Sequence, residues 1–486
     1  MSALAATPVL VPLATAALAV LCAGQARLQR ALSFAGALLL LGCALALVAR
    51  AAAGQPAAVA FGGWDTPYGI GFALDPLGSV LVLVTALMGL ATLLFLCSDV
   101  DPGPRHPLLL PLLHGTLAGV GGAFATADLF NLYVWFEVML VCALGLFVLG
   151  LQPRQLDAAF KYLALNLFGT LLLLAAVGLV YGATGHLNFD ALAAAAPQLP
   201  PALVTALLAV LMVALLLKSG AFPLFAWLPA AYHTLPTPVL ALVAGLLTKV
   251  GVYALLRTLG DVFAPSVDAL LLQALGWVAA ATMLAGVLGA AYHWDLRRIL
   301  AFHIISQIGY ILLAVALGGL GGHAAALFYT VHHIVVKANL FLVAGLVCVY
   351  AGSFDLRRAG GLYAARPALA LLFAVPALSL VGVPPLSGFW AKLMVLQEAM
   401  AQQRVAWAVL ALLVSVLTLY SMMKVWMEAF WKPHPDVPPP RQRDVRLWPA
   451  WAACTALAAV TLAVGLQPQL LADYAQHAAA ALGSGR

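Results

Sequence analysis

The chain has 486 residues, of which 64% are hydrophobic and only 8% charged, with a formal net charge of +6. An ordinary soluble domain carries roughly a quarter charged residues, so this balance excludes a soluble globular protein. It equally excludes a disordered chain or a nucleic-acid binder, both of which need charge density and solvated backbone. The implied solvent is a lipid bilayer.

A helix that crosses a bilayer uses about 20 predominantly apolar residues. Cutting the sequence at Pro/Gly clusters and charges predicts apolar spans near 3–22, 30–50, 74–97, 108–126, 128–151, 158–183, 202–223, 237–259, 267–291, 299–319, 322–350, 367–399, 403–430 and 448–466. The fold class is therefore an all-α polytopic membrane protein of about 14 transmembrane helices. Only Thr126-Ala127-Asp128 separates the fourth run from the fifth, and two spans fit that length better than one. The first run has no Lys or Arg before it and no small-residue cleavage pattern within it, so it reads as a span and not as a signal peptide. Cys22, Cys43, Cys97, Cys142, Cys348 and Cys454 show no Cys-x-x-Cys spacing and lie mostly in apolar runs, as small buried hydrophobes do. No disulfide framework or metal cluster is expected from them.

Short cytoplasmic loops accumulate Lys and Arg. The odd-numbered connections hold Arg27, Arg30, Arg105, Arg154, Lys161, Arg297, Arg298, Arg357, Arg358, Arg366, Lys432, Arg441, Arg443 and Arg446. The even-numbered connections and the C-terminus hold only Arg50, Arg257, Arg404 and Arg486. This segregation predicts an even number of spans with both termini on the outer face.

Lys218, Lys249, Lys337, Lys392, Lys424 and Glu137 fall inside apolar runs. A charge at the bilayer centre costs about 2.5–3.5 kcal/mol on insertion scales, so each needs a partner, a wet cavity or a function. Lys424 lies near a helix end four residues before Glu428, and reads as a snorkelling lysine or one half of a helical ion pair. Lys249 and Glu137 are too central for that. Two runs are broken by helix-disrupting residues, at Ser219-Gly220-Ala221-Phe222-Pro223 and Val383-Pro384-Pro385, and each carries a lysine, Lys218 and Lys392. Paired interrupted helices in two halves point to an inverted-repeat transporter. His333 and Lys337 share a helix face beside His332, which suits either proton relay or a hydrogen-bonded polar face; adjacent histidines without a carboxylate or thiol do not suit zinc. His303 could extend the same chain. Alternating Glu, Lys and His groups can load and release protons by small geometric changes. No dinucleotide fingerprint, Walker loop or nucleophile elbow occurs, so no cofactor, metal or covalent chemistry is expected.

Several stretches carry a resemblance. They are Lys218–Arg257, with Phe222-Pro223, Trp227-Leu228-Pro229, Tyr232-His233-Thr234 and Gly245-Leu246-Leu247-Thr248-Lys249-Val250-Gly251, then Arg297-Arg298-Ile299-Leu300 with His303-Ile304-Ile305-Ser306-Gln307-Ile308-Gly309-Tyr310, the stretch from His332-His333 to Gly345, and Leu378–Lys392. In these the chain resembles the proton-translocating antiporter family shared by Mrp cation/proton antiporters, respiratory NADH:quinone oxidoreductase and membrane-bound hydrogenases. The Ile-Ile-Ser-Gln-Ile-Gly-Tyr run and the double histidine favour the Mrp branch. The resemblance implies two inverted five-helix repeats with broken helices 7 and 12. It divides the chain into 1–106 (helices 1–3), 107–260 (first repeat, helices 4–8), 261–431 (second repeat, helices 9–13) and 432–486 (a cytoplasmic loop and helix 14). Glu137, Lys218, Lys249 and Lys392 match the family's proton-pathway positions, His332, His333 and Lys337 the linking residues between them, and His303 and His233 stand as subsidiary members. It further implies a multi-pass protein of the bacterial plasma membrane and a sodium or other monovalent cation exchanged for protons. The partners implied are other membrane subunits of an Mrp-type complex and no nucleic acid, with membership of a redox-driven proton pump as the alternative.

Overall fold

The computed structural model describes residues 3–64, 68–100, 106–435 and 446–482. Of the residues used for sidedness, Arg105, Arg441, Arg443 and Arg486 lie outside the described residues. The chain runs through α1 (Thr7–Leu21), α2 (Ala26–Ala52), α3 (Pro76–Leu96), α4 (Leu109–Ala125), α5 (Leu129–Val148), α6 (Pro153–Thr184), α7 (Pro201–Ser219) and α8 (Thr237–Arg257). It continues through α9 (Ala269–Tyr292), α10 (Leu296–Leu317), α11 (Gly319–Ala351), α12 (Pro367–Val381), α13 (Ser387–Ala401), α14 (Val405–Trp426), α15 (Trp448–Leu466) and α16 (Pro468–Ala481). Among the described residues, 12 helices are long and apolar enough to cross a membrane, and Leu109–Ala125 and Pro367–Val381 are shorter apolar helices. Each predicted span is helical. The run expected at 367–399 is two helices, α12 and α13, on either side of Val383-Pro384-Pro385-Leu386.

Two elements are not among the predicted spans, a short hairpin and a further helix. A two-stranded antiparallel hairpin pairs β1 (Ala57–Ala60) with β2 (Gly71–Leu74) in the second connection; four-residue strands are too short to register against spans of about 20 residues. The amphipathic helix α16 follows the last span and packs on α3 and α11, with Tyr474 donating to the Pro76 carbonyl at 3.0 Å.

The few acidic residues do much of the work of starting helices. Asp75, Asp128, Asp268 and Asp295 each accept a hydrogen bond from a first-turn backbone N–H of α3, α5, α9 and α10. A short side chain with an acceptor oxygen satisfies an N–H that lipid or protein packing would otherwise leave bare. At the core, every residue of α8 is buried, as are nearly all of α10 and of the middle of α11. Outer helices such as α2, α6 and α14 expose leucines, phenylalanines and valines to the surroundings, as a bilayer permits.

The connections sort by parity. On one side Gln29 bonds to the Pro107 carbonyl, Gln155 to that of Thr234, Asp99 to Arg446, Leu296 to Phe354 and Gly361 to Lys432. On the other side Ala127 bonds to Gly71, Leu129 to Leu187, and Gln402 to the Leu317 carbonyl. Each of these bonds joins two odd-numbered or two even-numbered connections, which is the geometry that the basic-residue pattern requires.

Both breaks begin in the same way. Gly220 (φ 74°) and Gly382 (φ 96°) end α7 and α12 in the left-handed region, where a Cβ is disfavoured. Ala221 and Val383, one residue on, reach back to the Leu216 and Leu378 carbonyls, the closure of a Schellman cap. Phe222–Pro223 and Pro384–Pro385 are cis peptide bonds.

Arg257, counted above only as a loop charge, is buried at the end of α8. It forks onto Asp75, with Nη1 to Oδ2 at 2.7 Å and Nη2 to Oδ1 at 2.9 Å, and also meets Asp261 at 2.8 Å across a π-helical turn, Thr258–Val262. Breaking a buried pair by removing one partner costs about 3–5 kcal/mol. Arg257→Met is therefore expected to lower the thermal midpoint of the assembled protein sharply in differential scanning fluorimetry, and an unchanged midpoint would contradict the structural role given to this cluster.

Candidate functional site

The intramembrane charges converge. Lys218, at the end of α7, is buried and donates to the Asn166 carbonyl at 3.0 Å and to the Thr170 hydroxyl, both on α6. The Phe136 ring lies 5.5 Å from its ammonium. Glu137, the next residue on α5, is within Coulombic range of Lys218 and has one carboxylate oxygen buried without a hydrogen-bond partner. Among the described residues no ion pair joins the two. Beside Lys218 is a cavity of about 20 Å³ lined by Phe136, Tyr162, Asn166, Trp227 and Leu247. That is room for one water molecule.

Lys249 is fully buried in the middle of α8, where it donates to the Ala244 carbonyl at 2.8 Å. Lys337 on α11 is equally buried and donates to the Leu300 carbonyl of α10 at 3.2 Å. His333, one turn before Lys337, lies within Coulombic range of Lys249, Lys337, His332 and His303, and both its ring nitrogens are buried without a partner. The i, i+4 spacing on α11 thus places His333 and Lys337 on one face, as expected, and α8 supplies Lys249 opposite them.

The second half of the series is built from hydroxyls. His332 Nδ1 lies 2.8 Å from the Ser387 hydroxyl, which is 3.0 Å from that of Ser379. Lys392 on α13 donates to the Val381 carbonyl at 2.7 Å and to the Ser415 hydroxyl at 3.1 Å. Val381 is the last residue of α12, so the helix break supplies an acceptor with no helical N–H to claim it. Ser415 is 2.8 Å from the Tyr310 hydroxyl, and Tyr310 stacks on Tyr329, which donates to Gln307 at 2.6 Å. Tyr310, Tyr329, Ser379, Ser387, Ser415, Asn166 and Thr170 were not singled out from the sequence. Hydroxyls are common in helices, where most bond their own backbone; Tyr310, Ser379 and Ser387 fall within stretches that carry the resemblance, but nothing there marks them as members of the site.

Two expectations change. Glu428 pairs with Lys432 at 2.9 Å, and Lys424 turns instead to the Ala291 and His293 carbonyls at 2.6 and 2.7 Å. An ammonium is better placed on the bare carbonyls at the C-terminus of α9 than on a carboxylate already engaged one turn further out. His233 is not joined to the series. Its Nδ1 lies 3.1 Å from the Pro229 carbonyl and its Nε2 lies 3.2 Å from Arg298. A carbonyl partner makes Nδ1 the donor and an arginine partner makes Nε2 the acceptor, which is the neutral tautomer. Among the described residues no three His, Cys, Asp or Glu side chains gather as a metal-ligand set.

A helical membrane bundle with a titratable series between two broken helices has known counterparts. The chain belongs to the NADH:quinone oxidoreductase/Mrp antiporter transmembrane family, whose profile matches residues 126–418. Within that family it is similar along its whole length to the D subunit of the Na⁺/H⁺ antiporter of Alkalihalophilus pseudofirmus, at 35% identity over 99% of this chain and 97% of that one. The corresponding protein of Bacillus subtilis is 34% identical over 98% of this chain and 96% of its own. Among solved structures, the Mrp complex of a Dietzia species holds a chain that superposes with a TM-score of 0.92 at 34% identity, covering 100% of this chain and 98% of that one. A chain of an archaeal membrane-bound sulfane sulfur reductase superposes with a TM-score of 0.91 at 27% identity, covering 99% and 98%.

An unpartnered buried polar group adds nothing to stability, whereas removing one member of a satisfied network costs about 1–3 kcal/mol. His333→Leu is accordingly expected to leave the thermal midpoint nearly unchanged, and Ser415→Ala, which takes an acceptor from Lys392 and a partner from Tyr310, to lower it. The opposite order in thermal unfolding would contradict this geometry.

Proposed function

We propose that this chain is the D subunit of an Mrp-type multisubunit Na⁺/H⁺ antiporter, and that it conducts protons along Glu137, Lys218, Lys249, His333, Lys337, His332 and Lys392. The observation that carries this reading is the state of the four central lysines. Each is buried and held by main-chain carbonyls or hydroxyls, and among the described residues no carboxylate lies within ion-pair distance of any of them. A carboxylate at that distance would pin an ammonium in its charged form. Neutral dipoles solvate it while leaving the neutral amine accessible, which a carrier of protons needs. Histidine between two lysines, and a water-sized cavity beside Lys218, supply short steps.

The chain on this reading is a transporter subunit without a cofactor of its own. It works with other membrane subunits, as the relatives' membership of a multisubunit complex suggests, and exchanges Na⁺ or another monovalent cation for protons. Residues 107–260 and 261–431 form two inverted repeats, flanked by 1–106 and 432–486. The matched caps at Gly220 and Gly382 and the lysine near each break support that division. The basic, odd-numbered connections face the cytoplasm and both termini face outward. A second reading rests on the likeness to the sulfane sulfur reductase chain: the same path driven by a redox reaction in other subunits. Iron–sulfur or flavin subunits co-purifying with this chain would favour it, and small membrane partners alone would favour the antiporter.

In everted vesicles holding the whole complex, Lys249→Ala and Glu137→Gln are each expected to abolish cation-dependent pH changes while assembly is normal. Transport at the parental rate in either would sink the role assigned to that residue. For sidedness, a membrane-impermeant thiol reagent added to intact cells is expected to label His186→Cys and not Arg357→Cys in a background without other cysteines; the reverse pattern would invert the topology.

A further inference from the structure

From Lys218 to Lys392 the series described above is buried, so protons that travel it must leave it for an aqueous face. His303, on α10, is fully buried and lies within Coulombic range of Lys337, Lys392 and Lys424. Its Nε2 is 3.0 Å from the hydroxyl of Ser421 on α14, while its Nδ1 is buried without a partner. Ser421 is also fully buried. Three residues further along α14, on the same face and one turn nearer the basic side, is Lys424, which is only partly buried. Its ammonium rests on the carbonyls of Ala291 and His293 and 5.2 Å from the Trp294 ring. His293, itself partly exposed, stacks on Phe302, the neighbour of His303, with ring centroids 4.9 Å apart. His303 and Ser421 are thus fully buried, whereas Lys424 and His293 are partly exposed, His293 in the connection that carries Arg297 and Arg298.

We propose that Ser421 and Lys424 form an exit from the buried series, carrying protons between His303 and the basic face of the membrane. The proposal rests on the proton-conducting reading given above. In one passage His303 is made an imidazolium by a proton that reaches its Nδ1 from the buried series. It gives its Nε2–H to the Ser421 oxygen as the Ser421 hydroxyl proton passes to a neutral Lys424 amine, and returns to the neutral ring. The resulting ammonium swings on its four-carbon stem to the Ala291 and His293 carbonyls, where it is seen, and releases the proton to water or to His293. The serine ends with the same number of protons it began with, and no other reactant is required.

A helix-capping lysine and a proton-carrying lysine respond differently to arginine, which keeps the charge and the donors but does not lose its proton. In vesicles holding the whole complex, Lys424→Arg and Ser421→Ala are each expected to slow cation-dependent proton movement by more than about tenfold, with normal assembly. Ser421→Thr, which keeps the hydroxyl, is expected to restore the rate. Parental rates in Lys424→Arg or in Ser421→Ala would overturn the exit. If Ser421→Ala fails to assemble, Lys424→Arg decides alone. Lys249→Ala in the same vesicles separates the two ideas: an inactive Lys249→Ala beside a fully active Lys424→Arg removes only the exit, whereas an active Lys249→Ala removes the conduction reading itself.

Discussion

An ammonium group inside a bilayer has to find every acceptor within the protein, because lipid offers none. That single requirement organises this structure. Lys218 finds its acceptors on α6, Lys337 on α10, Lys249 on its own helix, and Lys392 on the carbonyl that the α12 break leaves free. The helix breaks, costly in lipid, are repaid by supplying dipoles where the chain has placed charge. Most of these contacts tie two elements together, so the burial of α8, α10 and α11 at the centre and the position of the lysines are one arrangement and not two.

The same chain treats a permanent charge in another way. Arg257 cannot be deprotonated in a protein, and it is met by Asp75 in a bidentate fork and by Asp261. Asp75 holds the end of α8 against the start of α3 and also accepts from Gly78 to begin α3, while Asp261 meets Arg257 from the turn that follows α8. The lysines carry neutral acceptors and the arginine carries acids. This division separates groups able to exchange a proton from a group that only fastens helices together, and it follows from the chemistry of the two cations.

Much of the candidate site was legible before folding, because a charge in an apolar run is rare enough to be noticed. Glu137, Lys218, Lys249, Lys337 and Lys392 announce themselves in that way, and the Gly and Pro residues beside Lys218 and Lys392 mark the breaks. The hydroxyls of Ser387, Ser415, Ser421 and Tyr310 do not, since a serine in a membrane helix satisfies itself on its own backbone as readily as it serves a neighbour. Lys424 shows the limit of spacing arguments. Its i, i+4 relation to Glu428 was real, yet Glu428 had Lys432 at the same spacing on the other side and the α9 carbonyls took the Lys424 ammonium.

The sequence by itself determined the solvent, the number and order of the apolar helices, their alternating sides and the identity of the buried charges. All of these are local properties, set by composition over about 20 residues. Only the tertiary structure decided which charges meet. Arg257 becomes a buried clamp because Asp75, distant in sequence, arrives beside it, and His303 likewise reaches Ser421 from far along the chain. His233 falls away from the series because Arg298 claims it. Such pairings depend on how helices pack, and the apolar periodicity that forms each helix carries no record of which neighbour it will touch.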